Sequence, residues 1–331
     1  MTKPFNWGIL ATGRITQKFA GCIESVPDAN LLAVGSRSQE SADRFGDQFN
    51  ISRRYSSYDA LVNDPDVDAI YIGTPHPFHK DSALLCIEAG KPVLCEKPFT
   101  INASQARAVI SAARDKGVFI MEAMWSRFLP MMGEVRRRVT TGEIGDIRMI
   151  TSDFGFRTNV NPEGRLFALD MGGGGLLDVG VYPTSLVSML LSQGGTVKPD
   201  RIASMAEIGE TGVDEQAAAI LGYPSGQMGI IQTGIRTSTP METTIIGTDG
   251  RIRIHSPSWI ATRMTIQRGG ESEDVEIPFE GNGFNYQAAE VMRCVRAGKL
   301  ESEIMPHAET IAVMEIMDEI RGQWGLKYPM E

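Results

Sequence analysis

Short apolar runs alternate with amphipathic stretches along the first ~120 residues, and this alternation is the strongest constraint on the fold. The amphipathic stretches place apolar residues three and four positions apart, as a helix with one buried face requires. Strands that alternate with such helices form a parallel sheet with right-handed crossovers, so we predict a doubly wound α/β domain. The predicted strands are 6–10, 31–36, 69–73, 92–95 and 118–121, and the predicted helices are 14–25, 38–48, 78–89 and 102–115.

The second half of the chain has strand-like runs that follow one another closely. Residues 223–226 and 247–250 have the composition of hairpin turns, which join antiparallel strands. The predicted strands are 147–156, 201–208, 215–223, 227–235, 241–247, 251–254, 261–267 and 273–278, and the predicted helices are 129–140, 176–191, 284–297 and 306–322. A chain of 331 residues is also too long for one ordinary core. We therefore predict two domains, a doubly wound one over 1–123 and an α/β one with an open, mostly antiparallel sheet over 124–331.

Charge and composition exclude several classes of partner. The net charge of −9 disfavours nucleic acid and anionic membranes, since both would repel an acidic surface. We expect no membrane span, because no uninterrupted apolar run approaches the roughly 18 residues that a span needs. The N-terminus lacks the apolar core of a signal peptide, so we expect a cytoplasmic protein. The four cysteines are scattered without CxxC spacing, and we expect no metal site.

A glycine-containing turn lies where the first predicted strand meets the first predicted helix. Small residues at such a turn let backbone N–H groups approach a pyrophosphate closely. The usual GxGxxG pattern is degraded, because Ala11 stands for the first glycine and Thr16 for the third, while Gly13 remains. A purely structural turn is the alternative. The residues predicted to bind a dinucleotide here are Ala11, Thr12, Gly13, Arg14 and Ile15.

The end of the second predicted strand indicates which dinucleotide is preferred. An NAD site usually presents an acidic residue there to the ribose 2′-hydroxyl, whereas this chain has Ser36 and Arg37. A hydroxyl followed by a guanidinium suits the 2′-phosphate of NADP, which arginine can hold with two charged hydrogen bonds. We therefore predict NADP(H) over NAD(H). The alternative is that Arg37 is a solvated loop residue.

Two further loops follow the third and fourth predicted strands. Thr74, Pro75 and His79 come after the third, and Glu96 and Lys97 after the fourth. Ligands of open α/β sheets gather at the carboxyl ends of strands, so both loops are predicted to face the cofactor. Lys97 is a candidate acid/base, because a lysine pKa falls when the amine is desolvated or near positive charge. A surface lysine is the alternative.

Three segments together resemble the glucose-fructose oxidoreductase/inositol dehydrogenase (Gfo/Idh/MocA) family over essentially the whole chain. They are Glu96-Lys97-Pro98, the Thr-Pro-x-x-x-His pattern of Thr74 to His79, and the run from Gly172 to Pro183. Segments 122–130 and 154–156 resemble the branch that contains NADP-dependent D-xylose dehydrogenase and dimeric dihydrodiol dehydrogenase.

The resemblance implies a Rossmann domain followed by an α/β domain whose open sheet binds substrate and forms a homodimer or higher homo-oligomer. It implies that Lys97 takes part in proton transfer or substrate alignment, and that Asp178 fills the family's acidic position. Many relatives have a histidine where this chain has Tyr182. Tyr182 is therefore the candidate proton donor and acceptor, with its pKa lowered by Lys97; alternatively Lys97 is itself the acid/base and Tyr182 orients substrate.

Several side chains are predicted to contact substrate or cofactor. Asp178 and Tyr182 are four positions apart and would share one face of a helix, after a loop made flexible by glycines. Trp125 and Phe154 are either core residues or walls that stack on a sugar ring or an arene. The arginines are assigned by position: Arg127 near the cofactor, Arg157 and Arg165 near substrate oxygens.

The predicted reaction is reversible hydride transfer between nicotinamide and a carbinol carbon of a small sugar or polyol, as in a D-xylose 1-dehydrogenase. Other reactions of the same fold are oxidation of a trans-dihydrodiol and reduction of an anhydrofructose-type sugar. An NADP(H)-binding sensor without turnover is the non-enzymatic alternative. The set of Lys97, Asp178 and Tyr182 argues against it, since a sensor needs no proton donor.

Overall fold

The structure, a computed structural model, describes residues 3–331, and these form two compact units. The first contains the residues up to Thr100, then Ser104–Trp125 and Glu280–His307; the second contains Ile101–Ala103, Ser126–Phe279 and Ala308–Glu331. Residues 280–307, which we predicted to belong to the second domain, thus pack with the first unit. The Ile120 N–H donates to the carbonyl of Leu300 at 3.2 Å, and Phe284 stacks on Trp125. Sequence order alone does not show that the chain returns to the first unit after completing the eight-stranded sheet of the second.

The secondary structure follows the predicted patterns closely. The first part of the chain contains β1 (Phe5–Leu10), α1 (Arg14–Ala20), β2 (Ala29–Gly35), α2 (Gln39–Phe49), β3 (Arg53–Tyr55), α3 (Tyr58–Val62), β4 (Ala69–Ile72), α4 (His79–Glu88), β5 (Val93–Glu96), α5 (Ala103–Lys116) and β6 (Ile120–Ala123). The remainder contains α6 (Pro130–Thr140), β7 (Ile147–Gly155), α7 (Val181–Leu191), β8 (Arg201–Ile208), β9 (Asp214–Gly222), β10 (Met228–Gly234), β11 (Thr243–Gly247), β12 (Gly250–Ile254), β13 (Arg263–Arg268), β14 (Glu271–Glu276), α8 (Asn285–Arg296) and α9 (His307–Gln323).

The first unit is built on a six-stranded parallel sheet in the order β3-β2-β1-β4-β5-β6. This is the strand order of a dinucleotide-binding doubly wound fold, so the predicted fold class is confirmed. Successive strands are added on one side of β1 up to β3 and on its other side from β4 onward, and ligands of such folds bind at the point between β1 and β4 where this order reverses. We missed β3 because three half-buried residues with two arginines carry no apolar pattern.

Helix α1 packs closely on the sheet because of a glycine at the end of β4. A Cβ added to Gly73 would lie 2.3 Å from the Thr16 methyl carbon, so a larger residue cannot stand there without displacing the helix. Thr16 is fully buried and its hydroxyl donates to the carbonyl of Gly13 at 2.7 Å. In the usual fingerprint the third glycine permits this close helix–strand approach. Here Gly73 provides the space on the strand side, which explains how Thr16 is accommodated.

The second unit is built on an eight-stranded sheet in the order β14-β13-β12-β11-β7-β10-β9-β8. Only β7 and β10 pair in parallel, and both predicted hairpins are present, joining β9 to β10 and β11 to β12. Residues 169–191 are long and apolar enough to span a membrane by composition, but 83% of their most apolar window is buried in the protein. A core helix of a globular unit has the same properties, so this stretch is weak evidence for a membrane span.

The glycine-rich loop before α7 wraps around a buried carboxylate. Asp214, at the start of β9, is fully buried and accepts a hydrogen bond from the backbone N–H of Leu176 at 2.7 Å. A Cβ on Gly174, whose φ is 112°, would lie 2.1 Å from an Asp214 oxygen. The glycines thus allow close approach to a neighbouring strand. This contact holds the start of a π-helical turn, Leu176–Gly180, which contains Asp178 and leads directly into α7.

The Asp214 carboxyl should make stability depend on pH. Burial raises the pKa of Asp214 from 3.8 to about 7, against the opposing hydrogen bond from Leu176. The folded protein then holds this proton more tightly than the unfolded chain, so the stabilisation is fully present below the ordinary pKa and is lost as pH rises through about 7. Compared with Asp214→Asn, the wild type should lose about 2–3 kcal/mol of unfolding free energy between about pH 5 and about pH 8.

Chemical denaturation at several pH values measures this difference. The exposed Asp170→Asn change, in the neighbouring loop, is the matched control and should give a difference from wild type that does not vary with pH. A pH-independent difference for Asp214→Asn would contradict the assignment.

Candidate functional site

The turn after β1 has the geometry that a close backbone approach requires. Ala11 has φ 83°, a left-handed conformation in which glycine is the usual residue, and its N–H donates to the carbonyl of Gly35 at 3.0 Å. Gly13 precedes α1 and is exposed, and a Cβ added there would meet only the Gly73 carbonyl, at 3.9 Å. Packing within the chain therefore does not explain Gly13. The space in front of it suits an approaching ligand.

Ser36 and Arg37 lie at the carboxyl end of the neighbouring strand, β2. Ser36 is buried, and its N–H donates to the Tyr55 carbonyl at 3.0 Å, whereas Arg37 is exposed. Arg37 lies close enough to Tyr58 for its charge to oppose the effect of burial, which raises the pKa of that phenol. The structure thus brings the predicted 2′-phosphate reader to the same sheet edge as the glycine turn.

Thr74, after β4, carries a buried hydroxyl that has no hydrogen-bond partner among residues 3–331. Buried polar atoms without partners are rare, and a bound ligand is one explanation. Together with the open space at Gly13, this hydroxyl shows that the residues present fit a dinucleotide along this edge. Thr12 and Ile15 are half-buried and Arg14 is exposed in the same turn, and Pro75 is half-buried beside Thr74.

His79 holds two loops together. Its ring is fully buried, with Nε2 lying 2.8 Å from the Thr74 carbonyl and Nδ1 lying 2.9 Å from the Pro98 carbonyl. Burial lowers its pKa. We predicted that His79 binds the cofactor, but its ring nitrogens face these carbonyls, so the structure gives it a positioning role between the loop of Thr74 and the loop of Lys97.

Glu96 precedes Lys97 and is buried against a tyrosine. The Tyr71 hydroxyl donates to Glu96 Oε1 at 2.6 Å, and the Lys97 N–H donates to Oε2 at 3.2 Å. Burial raises the pKa of Glu96 to about 7, against the opposing hydrogen bond from Tyr71 and charge of Lys97. Glu96 therefore orients the backbone at Lys97, and its oxygens face protein groups rather than the predicted cofactor. The Lys97 side chain is half-buried.

The second unit contains a cleft beside Tyr182 with an open volume of about 370 Å³, solvent at its mouth included. The cleft is bounded by aromatic, hydroxyl, charged and aliphatic side chains from β7, α6, α7 and the loops beside them. They are Ser126, Arg127, Met132, Ser152, Asp153, Phe154, Tyr182, Pro183, Ser185, Leu186, Met189, Ser258 and Trp259.

Three aromatic rings form one side of this cleft. Phe154 and Trp259 stack with their centroids 5.1 Å apart and their planes 15° apart, and the Tyr182 ring lies 5.4 Å from Phe154 and 5.8 Å from Trp259. Phe154, for which core packing and a substrate wall were the two alternatives, is 8% exposed and lines this cleft. Such rings can pack on the C–H face of a sugar or on an arene.

Asp178 and Arg165 form an ion pair near the start of α7. The Arg165 guanidinium lies 2.9 Å from an Asp178 oxygen, and the Asp178 side chain is 12% exposed while that of Arg165 is 42% exposed. The pair brings two predicted site residues together. It also places a positive charge next to the carboxylate that precedes Tyr182 by one helical turn.

The structure shows the surroundings of three other predicted residues. Arg127, predicted near the cofactor, lines the cleft and forms a buried ion pair with Glu309 at 2.7 Å. Trp125, considered as a substrate wall, is 4% exposed and stacks on Phe284 within the first unit, so core packing explains it. Arg157 is exposed and pairs through its backbone with Arg236.

Sequence reasoning missed Trp259, Ser152 and Ser258. Each lies outside the motifs, on a strand or turn with no distinctive local pattern, and joins the cleft only through tertiary packing. The one usable signal was Trp259, because a tryptophan in a polar loop of a 331-residue chain with four tryptophans is uncommon. Within residues 3–331, no group of three or more His, Cys, Asp or Glu side chains is placed to hold a metal.

Known proteins are similar to this chain in sequence and in fold. Trans-1,2-dihydrobenzene-1,2-diol dehydrogenase of Mus musculus is 37% identical over 98% of this chain and 98% of its own length, and that of Homo sapiens is 33% identical over the same shares. An aldose-aldose oxidoreductase from Caulobacter crescentus, solved with glycerol, matches with a TM-score of 0.88 at 23% identity over 98% of both chains. A 3-ketoreductase from Actinomadura kijaniata, solved with NADP and TDP-benzene, matches with a TM-score of 0.85 at 23% identity over 97% of this chain and 98% of that one.

Two family descriptions match consecutive parts of the chain. Residues 5–124 match the oxidoreductase family with an NAD-binding Rossmann fold, and residues 132–253 match the GFO/IDH/MocA C-terminal domain. The matched relatives include the dihydrodiol dehydrogenases of the predicted branch. The chain therefore belongs to the Gfo/Idh/MocA family of NAD(P)-dependent oxidoreductases.

Proposed function

We propose that this protein is an NADP(H)-dependent oxidoreductase that transfers a hydride between nicotinamide and a carbinol or carbonyl carbon of a sugar or polyol, as a D-xylose 1-dehydrogenase does. One observation carries the substrate class: the cleft beside Tyr182 combines aromatic walls with hydroxyl and guanidinium groups. Sugars need both kinds of surface, because they have a C–H face and several oxygens. The cytoplasm is the proposed compartment, and four buried free thiols are typical of a reducing one.

In this proposal the protein handles the proton and orients the substrate. Bound nicotinamide supplies or accepts the hydride at its C4 position. On oxidation, the substrate hydroxyl gives its proton to Tyr182 or Lys97 as the C–H hydride leaves. Asp178, held by Arg165, fixes the start of the helix that carries Tyr182. Glu96 and His79 fix the loop that carries Lys97.

Oxidation of a trans-dihydrodiol is the second candidate. The relatives that carry this activity in their names are 33–38% identical to the chain over nearly its whole length. The aromatic walls formed by Phe154 and Trp259 would also accommodate an arene-derived ring. An anhydrofructose-type sugar reductase is a further reaction of the same class.

An NADP⁺ activity screen over pentoses, hexoses, anhydrosugars and trans-dihydrodiols tests the proposal. We expect turnover with a sugar or polyol, and a fall in kcat of roughly 10²- to 10⁴-fold in Lys97→Met and in Tyr182→Phe, because each removes a proton-handling group. The pH dependence of kcat in the two variants identifies the acid/base. The fall in kcat caused by ionisation of that residue disappears when the residue is removed. Full turnover in both variants would overturn the mechanism, and tight NADPH binding with no turnover on any substrate would favour a sensor.

Arg37 should determine the cofactor preference. In Arg37→Ala we expect KM for NADP⁺ to rise roughly 10- to 100-fold, with KM for NAD⁺ unchanged, because only the 2′-phosphate loses its charged hydrogen bonds. Arg44→Ala, an exposed arginine on α2, is the matched control and should leave both values unchanged. If Arg37→Ala retained the wild-type preference, another residue would have to read the 2′-phosphate.

The open face of the eight-stranded sheet is the proposed dimer surface. Met205 on β8 is 80% exposed and Ile220 on β9 is 47% exposed, and the strand register places them opposite Ala218 and Ala203 on the same face. Large exposed apolar side chains grouped in this way are typical of an association site. We therefore propose a homodimer.

Sedimentation at micromolar concentration should show a dimer for the wild type and a monomer for Met205→Lys/Ile220→Lys, because burying two lysines in the interface is unfavourable. Leu300→Lys, a 38% exposed leucine of the first unit, is the control and should remain dimeric. A monomeric wild type would contradict the proposal.

A further inference from the structure

Residues 326–331 follow a turn that ends α9. Gly325 has φ 71°, a left-handed conformation that favours glycine. The Leu326 N–H donates to the Arg321 carbonyl at 3.1 Å, and the Gly325 N–H donates to the carbonyl three residues before it at 3.2 Å. These two bonds form a Schellman motif, which satisfies carbonyls at the end of the helix and redirects the chain. Leu326 and Tyr328 are buried while the residue after each is exposed, so one side of this segment faces the protein.

Arg321, on the last turn of α9, holds this segment against the helix. Its guanidinium lies 5.2 Å from the centroid of the Tyr328 ring, and its Nη2 forms ion pairs with Asp318, at 2.7 Å, and with Glu331. The Arg321 side chain is buried, so its charge depends on these partners rather than on water. The position of the Tyr328 ring is therefore well defined.

The Tyr328 hydroxyl reaches the glycine-rich loop that precedes α7. It donates to the Gly173 carbonyl at 2.8 Å, and both residues are buried. Burial raises the pKa of Tyr328 well above its ordinary value of 10.0, and the charge of Asp214 raises this pKa further. The phenol therefore stays protonated at physiological pH and remains a hydrogen-bond donor to the loop.

The glycine-rich loop is thus held at two points. Tyr328 binds the carbonyl of Gly173, and Asp214 accepts the N–H of Leu176, three residues later. Glycines have more backbone freedom than other residues, so a run of them fixes the following residues only if such contacts restrain it. The π-helical turn that follows contains Asp178 and continues directly into α7. The two contacts therefore determine where α7 begins.

We propose that Tyr328 is a positioning residue for the proposed reaction: its hydroxyl fixes the glycine-rich loop and, through the π-helical turn, holds Tyr182 in place for proton transfer. A misplacement of about 1 Å can lower a reaction rate as much as 100-fold, even when its cause lies far from the reacting atoms. This inference rests on the proposed function and adds to it a residue outside the motifs. Its expected signature is a lower kcat with unchanged binding of NADP⁺, since the cofactor is predicted to bind loops of the first unit.

Hydrogen exchange, measured by mass spectrometry on Tyr328→Phe, tests the contact with the loop. Phenylalanine keeps the ring beside Arg321 and removes only the hydroxyl. We expect amide exchange in 173–182 to be roughly 3- to 10-fold faster, as the loss of one buried hydrogen bond implies, with exchange in the eight-stranded sheet unchanged.

Tyr223→Phe is the matched control for this measurement. It removes another buried tyrosine hydroxyl of the second unit, which lies 3.3 Å from Ser192 Oγ at the opposite end of α7. Exchange in 173–182 should be the same in this variant as in the wild type.

Steady-state kinetics with D-xylose and NADP⁺ tests the consequence for the reaction. Rates are normalised to the number of NADP⁺-binding sites, so that a loss of folded protein does not lower kcat. In Tyr328→Phe we expect kcat to fall roughly 3- to 30-fold with KM for NADP⁺ unchanged, whereas Tyr223→Phe should match the wild type in both.

Unchanged exchange in 173–182, or a uniform increase throughout the second unit, would overturn the inference. Faster exchange in 173–182 with a wild-type kcat would overturn it as well, because the loop would then not position Tyr182. An absence of D-xylose turnover in the wild type counts against the proposed function alone. The exchange of 173–182 then decides whether Tyr328 holds the loop.

Discussion

Parallel pairing of six strands is the constraint on which the candidate nucleotide site depends. Since the six strands run in the same direction, the loop after every strand emerges at the same edge of the sheet. Gly13, Arg37, Thr74 and Lys97 are far apart in the sequence, yet they follow the neighbouring strands β1, β2, β4 and β5. No special interaction is needed to gather them. The local requirements are the left-handed Ala11, the absent Cβ of Gly13 and the close packing at Gly73.

In the second unit, a buried carboxylate fixes the loop that leads to the candidate site residues. Asp214 accepts the N–H of Leu176 and occupies the space that side chains on the glycine-rich loop would fill. We interpreted the glycines as a source of flexibility. The structure shows that they permit contact between the loop and β9, which fixes the π-helical turn of Asp178. π-helical turns are frequent at functional sites, because they shift the residues that follow relative to a regular helix.

The fold and the site differ in how far the sequence predicts them. Hydrophobic periodicity and turn composition identify almost every helix and strand, because these patterns are local. The packing of residues 280–307 with the first unit is a tertiary choice that no local pattern records. Motif residues such as Lys97 and Tyr182 are found by their spacing. Ser152 and Thr243 become neighbours only through the register of β7 with β11, and Asp214 contacts the glycine loop only through packing.

In the proposed function, substrate choice depends on such tertiary neighbours as well as on the motifs. Relatives at 33–38% identity share the fold and the sheet edge, and aromatic walls discriminate weakly between rings of similar size. Fixed polar groups discriminate strongly, because an unpaired buried donor costs about 1–3 kcal/mol. In this protein the ion pair with Glu309 holds Arg127, and hydrogen bonds link Ser258 to Thr243 and Ser152. The positions of such polar groups are set by tertiary packing, so the motifs alone do not determine which substrate the proposed function selects.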